Sequence, residues 1–301
     1  MKHSQRLLVA SAVLVGIAAI LVKAQNLPPN FGTPQGTNAL AGSAGFVDIL
    51  GIKLGMPAEE ALGLLKSSYP ASKITLQRTG DYEALWHTVE RENPNHKWVF
   101  EIDVTPKASG DNVTVTLSLP PSKQVVTSVG RSTFFKEPVA VENIVAGLRK
   151  KYGQETYGLD YRVGGIVAVF DGVEKQFFWV YDVQGNRVKP DGVTANASLC
   201  TLNPPPVSSN LPPTLGGPLN EIKTLSGAPC LSWVILNAKI FMEAPSQGIT
   251  GKATGFSVVA VDWPLVTSGA HALYAFLDQG ARDVAAKQAA DAKKRGGDVK
   301  Y

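Results

Sequence analysis

Residues 113–119, VTVTLSL, constrain the fold more than any other stretch of this chain. Val113, Val115, Leu117 and Leu119 alternate with Thr114, Thr116 and Ser118. Successive side chains of a strand point to opposite faces, so the alternation predicts a strand with one face buried and one facing water. The stretch WVFEIDVT, 98–105, follows the same rule, with Trp98, Phe100, Ile102 and Val104 set against Val99, Glu101, Asp103 and Thr105. Such one-sided strands belong to antiparallel sheets, and their apolar face needs a cover. The preceding segment, GIKLGMPAEEALGLLKSSYP at 51–70, supplies one. Leu62, Leu65 and Tyr69 stand at i, i+3 and i+7, the spacing of one helical face. Pro57 suits a first helical turn, Glu59 and Glu60 suit the positive end of the dipole, and Pro70 stops the helix.

A similar segment, EPVAVENIVAGLRKKYG, lies at 137–153. At an offset of 83 residues Glu59 meets Glu142, Leu62 meets Val145, Leu65 meets Leu148, Lys66 meets Arg149 and Tyr69 meets Tyr152. The second helix is expected over Val139–Tyr152, with Gly153 as its cap. Each helix is followed by strand signals: Ile74–Arg78, Ala84–Arg91, 98–105, 113–119 and 123–135 after the first, and Gly165–Asp171, Gln176–Asp182, Leu231–Phe241 and Phe256–Trp263 after the second. Asp171-Gly172 and Gly185-Asn186 read as hairpin turns, and FFWVY, 177–181, as a strand buried on both faces. A last helix is expected over Ala270–Lys294, with Leu273, Leu277 and Val284 on one face. The order helix–strands–helix–strands predicts an α+β fold of two tandem helix-plus-antiparallel-sheet modules with an additional C-terminal helix. The first module spans 46–135 and the second 136–294, with a Pro-rich loop at 203–220 and a mobile tail at 295–301.

The N-terminus bears on compartment. Lys2, His3 and Arg6 precede a 16-residue apolar run, Leu7–Val22, and Val22-Lys23-Ala24 fits a cleavage point between Ala24 and Gln25. This is the layout of a secretory signal peptide over 1–24, and it predicts export to the periplasm or beyond. The alternative is that the segment stays uncut and residues 7–22 anchor the chain; that is the chain's only expected contact with a membrane. Residues 25–45 are rich in Pro, Gly, Asn and Ala and read as a flexible spacer. Removing 1–24 takes Lys2, Arg6 and Lys23 from the 29 basic residues and nothing from the 25 acids, so the exported chain is nearly neutral. With no basic patch and interleaved aromatics, nucleic acid is not an expected partner.

Cys200 and Cys230 are the only cysteines. In an exported chain an even pair reads as a disulfide, closing a loop that contributes about 3–4 kcal/mol in the chain-entropy model. The segment inside it, NPPPVSSNLPPTLGGPLN, carries six prolines and cannot supply a central strand. It reads as a surface insertion, with an extended recognition strap as the other reading.

The run Gly51-x-x-x-Gly55-Met56-Pro57-x-x-Glu60-Ala61-x-x-x-Leu65 resembles the start of modules in the SmpA/OmlA (BamE-like) envelope lipoproteins. The β-lactamase-inhibitor-protein-like fold has a similar layout, a helical segment followed by antiparallel strands, sometimes in tandem. The likeness covers mainly 48–70 and more loosely 137–183. It implies a non-catalytic module whose sheet face or loops bind another protein. No Cys follows the apolar run, so the lipid-anchor cysteine of those lipoproteins is not present there.

Chemistry-bearing motifs are sparse. His87 and His96 flank Asn93-Pro94-Asn95 at a spacing that fits no ligand motif, and they read as turn residues; His271 falls in the last helix. Gly-Ser-Ala-Gly at 42–45 lies in the spacer and is not a nucleophile elbow. Glu101 and Asp103 fall on the wet face of their strand and read as solvated carboxylates rather than a glycosidase pair. No catalytic residue, cofactor or metal site is assigned. The expected function is an exported, non-enzymatic bacterial envelope protein that binds a protein partner, with an envelope hydrolase as the alternative.

Overall fold

The computed structural model describes residues 45–78, 99–105, 110–118, 122–162, 173–188, 232–242 and 251–297. The chain opens with a two-strand ribbon, β1 (Asp48–Ile49) and β2 (Ile52–Lys53), and then helix α1 (Ala58–Ser68). Four strands follow: β3 (Lys73–Arg78), β4 (Val99–Thr105), β5 (Gly110–Leu117) and β6 (Val126–Ala140). Helix α2 (Val141–Tyr152) comes next, then β7 (Tyr157–Arg162), β8 (Val173–Tyr181), β9 (Val234–Met242) and β10 (Lys252–Asp262), and finally α3 (Trp263–Gly297). A mixed fold of helices on an antiparallel sheet is what the alternating strands imply.

Strands β3–β10 form one eight-stranded sheet in the order β3-β4-β5-β6-β10-β9-β8-β7. Every neighbouring pair is antiparallel. Among the described residues α1 and α2 are thus each followed by four strands in an up-and-down run, and the last strands of the two runs, β6 and β10, pair along the middle of the sheet. The expected boundary at 135/136 does not interrupt the chain, because β6 continues through it to Ala140.

The register decides what lies on each face. Ile102, Val104, Val113, Val115 and Val129 share one side with Trp179, Leu236, Ala238, Val258 and Ala260, and these form a single core with the ribbon and both helices. From α1 it takes Ala61, Leu62 and Leu65, the last 1 % exposed. From α2 it takes Leu148, with Ile144 and Tyr152 packed against it. The i, i+3, i+7 spacing therefore marks the covering face of both helices. Ala58 is the first helical residue, and Pro57 sits just before it as N-cap, so the missing proline N–H costs no intrahelical bond. Gly55, at φ +78°, makes the tight entry: its N–H donates to Val126 O at 2.7 Å and fixes the ribbon to the start of β6.

The opposite face has a smaller core of Phe178, Val180, Ile235, Val261 and Trp263. FFWVY is buried from both sides, as its composition implies: Trp179 belongs to the first core, Phe178 and Val180 to the second. The Asp182–Asn186 turn is also as expected, with Gly185 at φ +86° and the Asp182 carboxylate accepting from Gln184 N and Asn186 N.

Four expectations are corrected. Helix α3 starts at Trp263, not Ala270, because Asp262 Oδ1 accepts from Leu265 N at 2.9 Å and caps it directly off β10. It continues to Gly297, so residues 295–297 are helical and not tail. The partner of β8 is Tyr157–Arg162, a segment without a clean alternation of apolar residues. Ser118, expected on the wet side, is buried, its Oγ donating to Lys123 O and accepting from Val125 N. Ala24, Gln25, His87, His96, Cys200, Cys230, the 203–220 loop and the expected strands Ala84–Arg91 and Gly165–Asp171 lie outside the described residues.

Candidate functional site

Two surfaces hold polar side chains in arrangements that the core does not require. The first is the face of β3–β6 turned away from α1 and α2. The register places Thr75 and Gln77 of β3, Glu101 and Asp103 of β4, Asn112, Thr114 and Thr116 of β5, and Ser132 of β6 side by side there. Gln77 and Asn112 are exposed, and the carboxylates and the two β5 threonines are partly so. Asp103 is held from both flanks: Thr114 Oγ1 donates to Oδ1 at 2.9 Å and Gln77 Nε2 to Oδ2 at 3.2 Å. Glu101, two residues away on the same face, has its carboxyl pushed up to about 7, first by partial burial and then by the Asp103 charge. The alternation of 98–105 placed both carboxylates on this face correctly. It does not reveal that one of them is poorly solvated; two acids at i and i+2 of a strand are the only sequence signal for it.

The second surface is a cleft of 310 Å³ on the helix side. Ile49 and Leu50 of the ribbon form one wall. Asn143, Ile144, Gly147, Leu148, Lys151 and Tyr152 of α2 form another. Arg131 of β6 and Phe256 and Val258 of β10 form the floor. Arg131 Nε donates to Asp111 Oδ1 at 2.8 Å, and its guanidinium carbon lies 5.6 Å from the centre of the Phe256 ring. Asp111 also accepts from Thr133 Oγ1 at 2.7 Å and from Tyr69 OH at 2.9 Å. Burial raises the Asp111 carboxyl, but these three donors outweigh it and hold it below the usual carboxylate range. Tyr69, desolvated and donating to a carboxylate, is pushed up to about 12. Also lining the cleft, Lys151 Nζ donates to Asp48 Oδ1 at 2.9 Å, and Tyr152 OH donates to the Asp48 carbonyl at 3.0 Å.

Tyr69 and Tyr152, matched by the 83-residue offset, therefore do related work. Each ties the C-terminal end of its helix to a strand through its hydroxyl, Tyr69 to β5 and Tyr152 to β1. Arg131, Asp111 and Asp48 carried no motif, and their meeting depends on pairing across strands distant in sequence. His271 is exposed on α3. Among the described residues no group of three His, Cys, Asp or Glu is placed to hold a metal ion, and no helix is long and apolar enough to cross a membrane. In comparisons with known proteins, no family model, no curated protein and no solved structure matches this chain.

Proposed function

We propose that the chain is an exported binding protein of a bacterial envelope, built from two tandem modules, that docks a protein partner on the polar face of β3–β6. The observation that carries this is the asymmetry of the sheet. Both helices that open the four-strand runs cover the same side. On the other side β3–β6 present hydroxyl, amide and carboxylate groups in cross-strand rows. Pairing of β6 with β10 joins that face to the second core, where Phe178, Val180, Ile235 and Val261 pack with Trp263. The repeated order of helix and four strands supports the tandem reading and fits the resemblance at residues 51–65. The signal-like N-terminus supports export, and Cys200 and Cys230 then form a bridge in an oxidising compartment.

Glu101 and Asp103 favour a partner that brings basic and hydrogen-bonding groups, because a cation lets both carboxylates ionise together. The test is retention of partners from envelope extract on immobilised protein, with Glu101→Lys/Asp103→Lys as the comparison and far-UV circular dichroism as the check on folding. A stoichiometric partner held by the wild type and lost by the folded variant is expected. Equal retention by both, or no stoichiometric partner, overturns the assignment of this face.

A further inference from the structure

We propose that the cleft between α2, the ribbon and β6–β10 is a binding site for a small aliphatic monocarboxylate, its head on Arg131 and Lys151 and its tail along α2 and Phe256. This is independent of the sheet-face reading, since the two surfaces lie on opposite sides of the sheet.

The three hydrogen bonds to Asp111 come from Arg131 Nε, Thr133 Oγ1 and Tyr69 OH, so its acceptors are engaged outside the cleft. Arg131 uses Nε for this bond, and among the described residues the two Nη groups of the guanidinium have no hydrogen-bond partner. Lys151 uses one of its three N–H bonds on Asp48 and a second on the Tyr152 side chain, which leaves one. The polar end of the cleft thus has spare donors, two of them in the planar fork that fits a carboxylate. Of the remaining lining, Ile144, Leu148, Phe256 and Val258 are apolar, and Asn143 is a polar exception. A cleft of 310 Å³ is at the small end of ligand sites. A short chain ending in a carboxylate matches both its volume and its two-part character. A phosphate or sulfate finds no use for the apolar wall, and an alkane finds none for the fork.

Gly147 offers a direct test. It lines the cleft, and a Cβ built on it meets nothing within 4 Å. A larger side chain there fills the cleft without a clash at Cβ and removes a glycine from a helix interior. Gly147→Leu is therefore expected to keep or raise the melting temperature while blocking the site. The measurement is calorimetric titration of the full chain with octanoate, with 1-octanol and acetate as single-feature controls. Saturable octanoate binding near roughly 1 mM or tighter is expected, with octanol and acetate at least about tenfold weaker. Gly147→Leu should abolish the binding, and Arg131→Lys, which keeps the charge but loses the fork, should weaken it severalfold. Absence of saturable octanoate binding overturns the proposal. So does octanol binding as well as octanoate, or a folded Gly147→Leu variant that still binds.

Discussion

Glu101 and Asp111 are two carboxylates one strand apart with opposite environments. On β4, Glu101 lies beside Asp103, with no cation in contact among the described residues, and its carboxyl is pushed up to about 7. The folded chain thus binds a proton that the unfolded chain releases near its ordinary value, so this group favours folding at acid pH and loses that contribution as pH rises from about 4.5 to 7. Glu101→Gln should flatten that slope and raise stability at pH 8 by about 1 kcal/mol, once solvent screening of a partly exposed group is allowed for. Urea unfolding at pH 5 and pH 8 reads both effects. Asp111 runs the other way. Its folded value is lowered, so its contribution is complete above the ordinary carboxylate range and is lost as pH falls below it. Tyr69→Phe removes one of its three donors and should cost about 1–2 kcal/mol at neutral pH. The loss should shrink in acid as Asp111 protonates, and a denaturation series between pH 2 and pH 7 checks this.

At the scale of elements, two joints decide the geometry. The first is the passage from β10 into α3. Asp262 is buried, and it caps a helix whose first residues include Trp263 and Leu265, each 1 % exposed. Asp262→Ala should cost at least about 1–2 kcal/mol, read as a lower denaturation midpoint. Asp262-Trp263-Pro264 is a legible start signal, an N-cap residue with proline in the first turn. The β-rich run before it hides the signal, because Trp263 suits a strand equally well. The second joint is the irregularity where β6 and β10 pair. Phe134 lies over Gly255 and stacks on Phe241 with ring centres 5.8 Å apart, and a Cβ on Gly255 meets Thr133 O at 2.6 Å. No side chain fits there without moving the backbone of the central pair. Gly255→Ala should destabilise the fold by roughly 1–3 kcal/mol, measurable in the same unfolding assay.

At the scale of the whole molecule the two helix-and-strand runs share their core. Ala61 and Leu65 of the first run are in one cluster with Leu148, Trp179, Leu236 and Ala260 of the second. Neither run encloses its own apolar surface, and separating them exposes both sides of the β6–β10 pair. Unfolding should therefore be a single transition, with circular dichroism and tryptophan fluorescence coincident. Residues 46–140 expressed alone should not give a cooperatively folded species. Two separated transitions would contradict a shared core.

From the sequence by itself come the alternation of β5 as far as Leu117 and of β4 from Glu101 to Thr105, the covering faces of α1 and α2, and the Gly153 and Gly185 turns; Val99, set on the wet face, is instead buried in the first core, and the sheet has a second core on its other side. The legible features are local: periodicity and turn chemistry act over a few residues and are written in order along the chain. The sequence did not show that β6 pairs with β10, that the two runs make one eight-stranded sheet, or that Arg131, Asp111, Tyr69, Lys151 and Asp48 meet on its helix side. Those contacts join residues as many as 133 positions apart, the separation of Ser128 from its partner Val261. They follow from strand register and packing, because only the folded sheet determines which side chains from distant segments share a face.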